Sequence, residues 1–220
     1  MNMPRGMRIA GYAAVAALLL VLGAALRPLF ITDERPADPI LDAVEIGFVQ
    51  DMTAHHQQAL MMVQRLDPAV DPGVSRLARQ LADTQNLEIG TMLGWLRLVN
   101  ASPLSPQPMA WMREAGVEPG HQHGGPTTTA HDPAGHTMPG MATMAELDAL
   151  SAARGRAAEI LFLQLMLRHH QGGVAMAQAA DQLIESGPVK ETARSMIHGQ
   201  SQESGVIAAL LGQRDAQPLP

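Results

Sequence analysis

Two stretches of the chain carry imidazole, thioether and carboxylate groups at one repeated spacing. Glu45, Phe48, Gln50, Met52, His55, His56, Gln57 and Met62 recur as Glu159, Phe162, Gln164, Met166, His169, His170, Gln171 and Met176. Imidazole is a ligand for copper, zinc, iron or nickel, and the soft thioether turns that choice towards Cu(I). The chemistry open to such a set is metal binding by His55, His56, His169 and His170. Met52, Met62, Met166 and Met176 flank them, and the carboxylates Glu45 and Glu159 share their helix face. A plainer alternative stands beside it. A histidine on an apolar face is usually a hydrogen-bonded core residue, and Met is a common core filler. Repetition, with Met three residues before the pair and six after, is what that alternative leaves unexplained.

Positioning these groups requires helices. Each helical step rotates about 100°, so with Met52 as origin Glu45, Phe48, His55, His56, Ala59, Met62 and Val63 fall within roughly 80°. Adjacent histidines diverge by about 100°, so one pair does not readily chelate alone. His55 and His169 are expected to face one site. His56 and His170 then face another, or bond to Glu45, Glu159, Glu88 and Glu203, which are also candidate ligands. Gly173 stands where the first copy has Ala59, and small residues there predict a close approach of the two His-bearing helices.

The remaining elements follow from caps and breakers. Residues 39–100 read as a helical hairpin. Its first helix starts at Asp38-Pro39 and ends near Leu66; the second is capped by Asp71-Pro72 and runs to about Asn100, with Gln85 and Glu88 inside its apolar stripe. Residues 145–212 read as a second hairpin. Thr143-x-x-Glu146 is a capping box opening a short helix. A helix from about Arg156 to Glu185 ends at Gly187-Pro188, and another runs to Leu211 with Gln200 and Glu203 in the same relation as Gln85 and Glu88. Residues 213–220 form a tail.

Between the hairpins, residues 101–144 are rich in Pro and Gly and carry His121, His123, His131, His136, Met138, Met141 and Met144. Apart from a short helix at Met109–Ala115 this segment has no periodicity. It is expected to be mobile, either a second capture segment for a soft metal or a low-complexity tether. Its length lets it cross over the bundle, or lets the halves swap between the subunits of a homodimer.

Residues 1–8 carry Arg5 and Arg8, residues 9–26 are an uninterrupted apolar run, and 27–38 form a linker. The run is long enough for one transmembrane anchor, with the positive end in the cytoplasm and the domain outside. The rival reading is a cleaved signal peptide, which also exports the domain. A net charge of −6 without a basic cluster gives no support to nucleic-acid binding, and the absence of Cys excludes disulfides and thiolate ligands. Aromatic content of 3% with abundant Ala, Leu and Met favours helices over sheet.

The paired His-His-Gln motif with downstream Met, together with Met138-Pro-Gly-Met141 before the second copy, resembles the DUF305 family over about Leu41 to Leu211. The family usually has Asp in place of Glu45 and Glu159, and Ala in place of Gly173. The resemblance implies an all-α, ferritin-like four-helix bundle built from two helix hairpins, here preceded by one N-terminal transmembrane helix. It also implies copper binding and tolerance outside the cytoplasm. The expected function is an extracytoplasmic, membrane-anchored protein, not an enzyme, whose partners are a metal ion and the membrane. It would bind copper, as Cu(I) rather than Cu(II), for sequestration, tolerance or handover. A ferritin-like di-metal redox enzyme is the second reading, although neither helical hairpin carries a Glu-x-x-His. A metal-free interaction bundle is the third.

Overall fold

The computed structural model describes residues 5–30, 39–114 and 138–219, in two units, Met1–Ile40 and Leu41–Pro220. The first unit holds helix α1 (Arg5–Phe30). Among the described residues no helix is long and apolar enough to cross a membrane, so the anchor read in residues 9–26 rests on the sequence alone. His121, His123, His131 and His136 lie outside the described residues.

The second unit is all-α among its described residues: α2 (Ala43–Arg65), α3 (Pro72–Leu98), α4 (Ala110–Glu114), α5 (Met144–Ala152), α6 (Gly155–Leu183) and α7 (Pro188–Gly212). Helices α2 and α3 form one hairpin, α6 and α7 the other, and the hairpins meet through α2 and α6. The first turn of α2 differs from the expected Asp38-Pro39 start. Asp42 Oδ1 accepts from Glu45 N at 2.8 Å, and Asp42 N donates to Glu45 Oε2 at 2.8 Å. This reciprocal box satisfies the backbone donors of Asp42 and Glu45 and sets the start of the helix at Ala43. The other starts fall where expected. Asp71 caps α3 ahead of Pro72, Thr143 and Glu146 form the box at α5, and Gly187, at φ +107°, precedes Pro188 of α7.

Two apolar clusters fill the bundle. One contains Phe48, Val49 and Met52 of α2 with Met176, Ala177 and Ala180 of α6; the other contains Ala59 and Met62 of α2 with Phe162, Leu163 and Met166 of α6. The start of α2 therefore meets the end of α6, so these helices run antiparallel. Along both helices the histidine pairs separate the two clusters. A polar layer crosses the middle of the core.

The described parts of the inter-hairpin segment, 101–114 and 138–144, are held against the helices. Gln50 Nε2 donates to Ser102 O at 2.7 Å, and Asp51 Oδ2 accepts from Met109 N at 2.7 Å and Trp111 Nε1 at 2.9 Å. At the far end, Gln58 brackets Ala142, donating to its carbonyl at 2.8 Å and accepting from its N–H at 2.6 Å. Arg168 grips Glu146 of α5 through two hydrogen bonds of 2.9 and 2.8 Å. The mobility expected of residues 101–144 thus fails for 101–114 and 138–144, because buried side chains of α2 and a clamp from α6 hold them.

Candidate metal centre

All four histidines are buried, each 1% exposed or less. His55 and His169 stack across the α2–α6 interface with ring centroids 3.8 Å apart and planes inclined by 29°. His169 Nε2 lies 2.9 Å from the His55 carbonyl, and His55 Nε2 lies 3.0 Å from the Pro139 carbonyl. His56 Nε2 lies 2.6 Å from Glu88 Oε2 on α3, and His170 Nε2 lies 2.8 Å from Glu203 Oε2 on α7. Every one of these partners is a carbonyl or carboxylate oxygen. Each ring must therefore carry its proton on Nε2 and donate it.

The other ring nitrogen tells the complementary half. Nδ1 of His55, His56, His169 and His170 is buried without a hydrogen-bond partner, as are Gln85 Oε1 and both amide atoms of Gln200. A neutral ring protonated at Nε2 keeps a bare lone pair on Nδ1. Burial holds His55 and His169 in that neutral form. It pushes the pKa of His55 down to about 3, helped by the neighbouring His56, and that of His169 well below the ordinary value, helped by His55. Buried polar atoms are usually partnered, and four basic nitrogens left over at one level of a bundle call for an explanation.

Helix geometry explains how the layer arises. The second hairpin repeats the first, so α3 and α7 each present a Gln-x-x-Glu pair to the histidines of α2 and α6. Gln85 and Gln200 are buried, and each glutamate reaches the second histidine of its own hairpin. The DUF305 family, described as a domain of unknown function, matches residues 45–211. This chain belongs to the DUF305 family.

Solved structures of similar proteins agree with the fold. A DUF305 protein from Streptomyces coelicolor, whose name marks it as a candidate secreted protein, is 36% identical with a TM-score of 0.67, over 80% of this chain and 96% of that one. A DUF305 fragment from Deinococcus radiodurans is 28% identical with a TM-score of 0.61, over 78% and 97%. CopM in its Cu(I)-bound form is 24% identical with a TM-score of 0.54, over 77% and 96%. No curated protein matches the sequence.

The other residues that the sequence singled out are placed as follows. Met52 and Met176 are fully buried in one apolar cluster and Met62 and Met166 in the other, so a methionine pair lies on each side of the imidazole layer. Met138 is half-buried against the cluster holding Met52, Met141 is half-buried, and Met144 opens α5 with 65% exposure. Glu45 serves the α2 capping box. Glu159 accepts from Asp71 N at 2.8 Å and pairs with Arg214 Nε at 2.6 Å. Both share the angular face of the histidines, yet each stands ten residues earlier, about 15 Å along the helix axis. The structure gives these two carboxylates end-of-helix partners instead of the histidines. Among the described residues no three His, Asp or Glu side chains converge tightly enough to hold an ion together.

Sequence reasoning missed the backbone that completes the layer. The loop Met138–Met141 lies directly on α6, and a Cβ placed on Gly172 would stand 2.0 Å from the Pro139 carbonyl oxygen. Gly140 holds φ +76°, where a Cβ would meet the Arg168 carbonyl at 2.3 Å. The signal was there to be read: Gly172-Gly173 replace Gln58-Ala59 of the first copy, a departure inside an otherwise faithful repeat.

Proposed function

We propose that this chain is an extracytoplasmic copper-binding protein, holding Cu(I) in preference to Cu(II) at the imidazole layer and sequestering it or handing it on without turnover. The observation that carries this reading is the set of four buried Nδ1 atoms without a hydrogen-bond partner. Leaving one buried polar atom unpaired costs about 1–3 kcal/mol, and no packing requirement calls for four. A soft ion accepted by imidazole nitrogen supplies the missing partner, and Cu(I) is satisfied by donors in pairs. The methionine pairs on either side, Met52 with Met176 and Met62 with Met166, offer the thioether surroundings that suit Cu(I).

CopM, similar in fold, has been solved with Cu(I), Cu(II) and silver. At that identity the likeness carries the fold, and the copper assignment here stands on the donor set. A di-iron oxidase is less well served. Such centres need several inward carboxylates, whereas Glu45 and Glu159 are engaged at helix ends and Glu88 and Glu203 by histidines. Export follows from Arg5 and Arg8 flanking the apolar residues 9–26, with the N-terminus inside and the domain outside, or released after cleavage. His121, His123, His131 and His136, with Met138, Met141 and Met144, are read as a second, weaker capture segment.

A Cu(I) competition titration tests the reading on wild type, His55→Ala/His169→Ala, and a variant with Met138, Met141 and Met144 changed to Leu. The histidine variant is expected to lose the tightest component and the methionine variant only a weaker one. Loss of the tightest component in the methionine variant alone would make the imidazole layer structural and reverse the assignment.

A further inference from the structure

We propose that Glu88 and Glu203 are positioning residues that stay off the metal, each fixing the tautomer that leaves Nδ1 of its own histidine, His56 or His170, as a donor to an ion in the imidazole layer. The inference rests on the metal-binding reading above and adds to it the donor atoms and their outer partners. Both glutamates lie 2.8 Å or less from an Nε2 of a histidine with no side-chain exposure. Solvent therefore cannot compete for that ring proton, and each carboxylate fixes one tautomer. A histidine whose far N–H is held by a carboxylate is a better oriented and more basic metal ligand than one held by a neutral group. His55 and His169 provide the contrast within the same layer. Their Nε2 protons go to backbone carbonyls, which set the tautomer without adding charge.

The arrangement occurs twice, on α3 and on α7, from the same Gln-x-x-Glu spacing, and both times the ring's Nδ1 is left buried and unpartnered. The oxygen that holds the ring, Oε2 in both glutamates, could turn to an ion only by leaving a buried Nε2–H unsatisfied, at about 1–3 kcal/mol. Glu88 and Glu203 keep 20% and 13% side-chain exposure, so their charge stays partly solvated at the edge of the layer. The inner face of each ring is thereby left to the ion.

The test uses the full-length chain in detergent, isotope-labelled at the imidazole nitrogens and free of metal, with Ag(I) as a closed-shell stand-in for Cu(I). Two-bond proton–nitrogen correlations are expected to show His56 and His170 protonated at Nε2. Added Ag(I) is expected to move their Nδ1 resonances while the Nε2 protons remain. Glu88→Gln and Glu203→Gln keep the shape but can present either an oxygen or an NH2 to the ring. Each should give mixed tautomers at its histidine and weaken Cu(I) binding on the order of 10–100-fold, with helicity unchanged by circular dichroism. Should a Gln variant fail to fold, the wild-type resonances still decide. Protonation at Nδ1, a metal shift at Nε2, or unchanged affinity in folded Gln variants overturns the inference alone. Wild type that takes up neither Ag(I) nor Cu(I) overturns the copper reading itself, and the donor assignment with it.

Discussion

Two neighbouring glycines of α6 should respond very differently to one added methyl group. A Cβ on Gly172 would lie 2.0 Å from Pro139 O, 2.4 Å from Pro139 C and 2.8 Å from Gly140 N, all backbone atoms. A Cβ on Gly173 would lie 2.4 Å from Gln200 Oε1, the far end of a flexible side chain. Gly172→Ala must drive the loop back by more than about 1 Å to restore ordinary contact, an overpacking cost of roughly 1–3 kcal/mol. Retreat also removes the acceptor of His55 Nε2 and strains the bracket that Gln58 makes on Ala142. A buried donor left unpaired adds about 1–3 kcal/mol to the extent that the loop moves, and the helix gains about 1 kcal/mol from Gly to Ala. The net loss should be about 2 kcal/mol or more, a fall in Tm of roughly 4–8 °C for a domain of this size. Gly173→Ala only displaces an amide that has no hydrogen-bond partner to lose. Its cost of up to about 1 kcal/mol is offset by the same helix gain, so its net effect is near zero. Urea unfolding of the metal-free protein followed by circular dichroism measures both. A Gly173→Ala loss equal to or above that of Gly172→Ala would refute the argument. The expectation from sequence was a close α2–α6 contact at Gly173; the neighbour found there is Gln200 of α7.

Two further outcomes are expected. His55 and His169 have folded-state pKa values below their unfolded values, so the unfolded chain binds protons first as pH falls. Stability of the metal-free protein should therefore be full above about pH 6.5 and decline towards about pH 3, by at most roughly 1.4 kcal/mol per pH unit for each histidine; pH-dependent unfolding in which stability did not fall below about pH 6.5 would contradict the neutral buried state. Asp51, whose carboxyl pKa is raised by burial, accepts from both Met109 N and Trp111 Nε1. Asp51→Asn retains an oxygen acceptor and should change stability by less than about 1 kcal/mol, whereas Asp51→Ala orphans two buried donors and should cost at least about 2 kcal/mol, with a red shift in Trp111 fluorescence. Equal losses in the two variants would show that the latch is not hydrogen bonding.

Much of this was legible because it is local or repeated. Asp71-Pro72, Thr143 with Glu146, and Gly187-Pro188 mark helix ends by chemistry that acts within one turn, and the structure places helix starts at all three. The histidine pairs were legible as facing groups because the same spacing occurs twice. Periodicity, however, fixes an angle and leaves height open. Glu45 and Glu159 lie on the right face at the wrong level, which is why one serves a cap and the other Arg214.

The loop at the histidine layer was the harder case, and the repeat itself shows why. His169 places its Nε2 proton on the carbonyl of His55, and a fully symmetric pair of hairpins would return His55 to the carbonyl of His169. His55 donates to Pro139 instead. The symmetry breaks because the segment entering the second hairpin must cross α6, and it crosses where Gly172 leaves no side chain in the way. In the first copy the same position is Gln58, whose amide reaches out and binds Ala142 of that very segment. One position thus holds the loop from α2 and admits it on α6. A side-chain pattern cannot announce a backbone carbonyl as a partner, but a place where the repeat gives up a side chain can mark where one arrives.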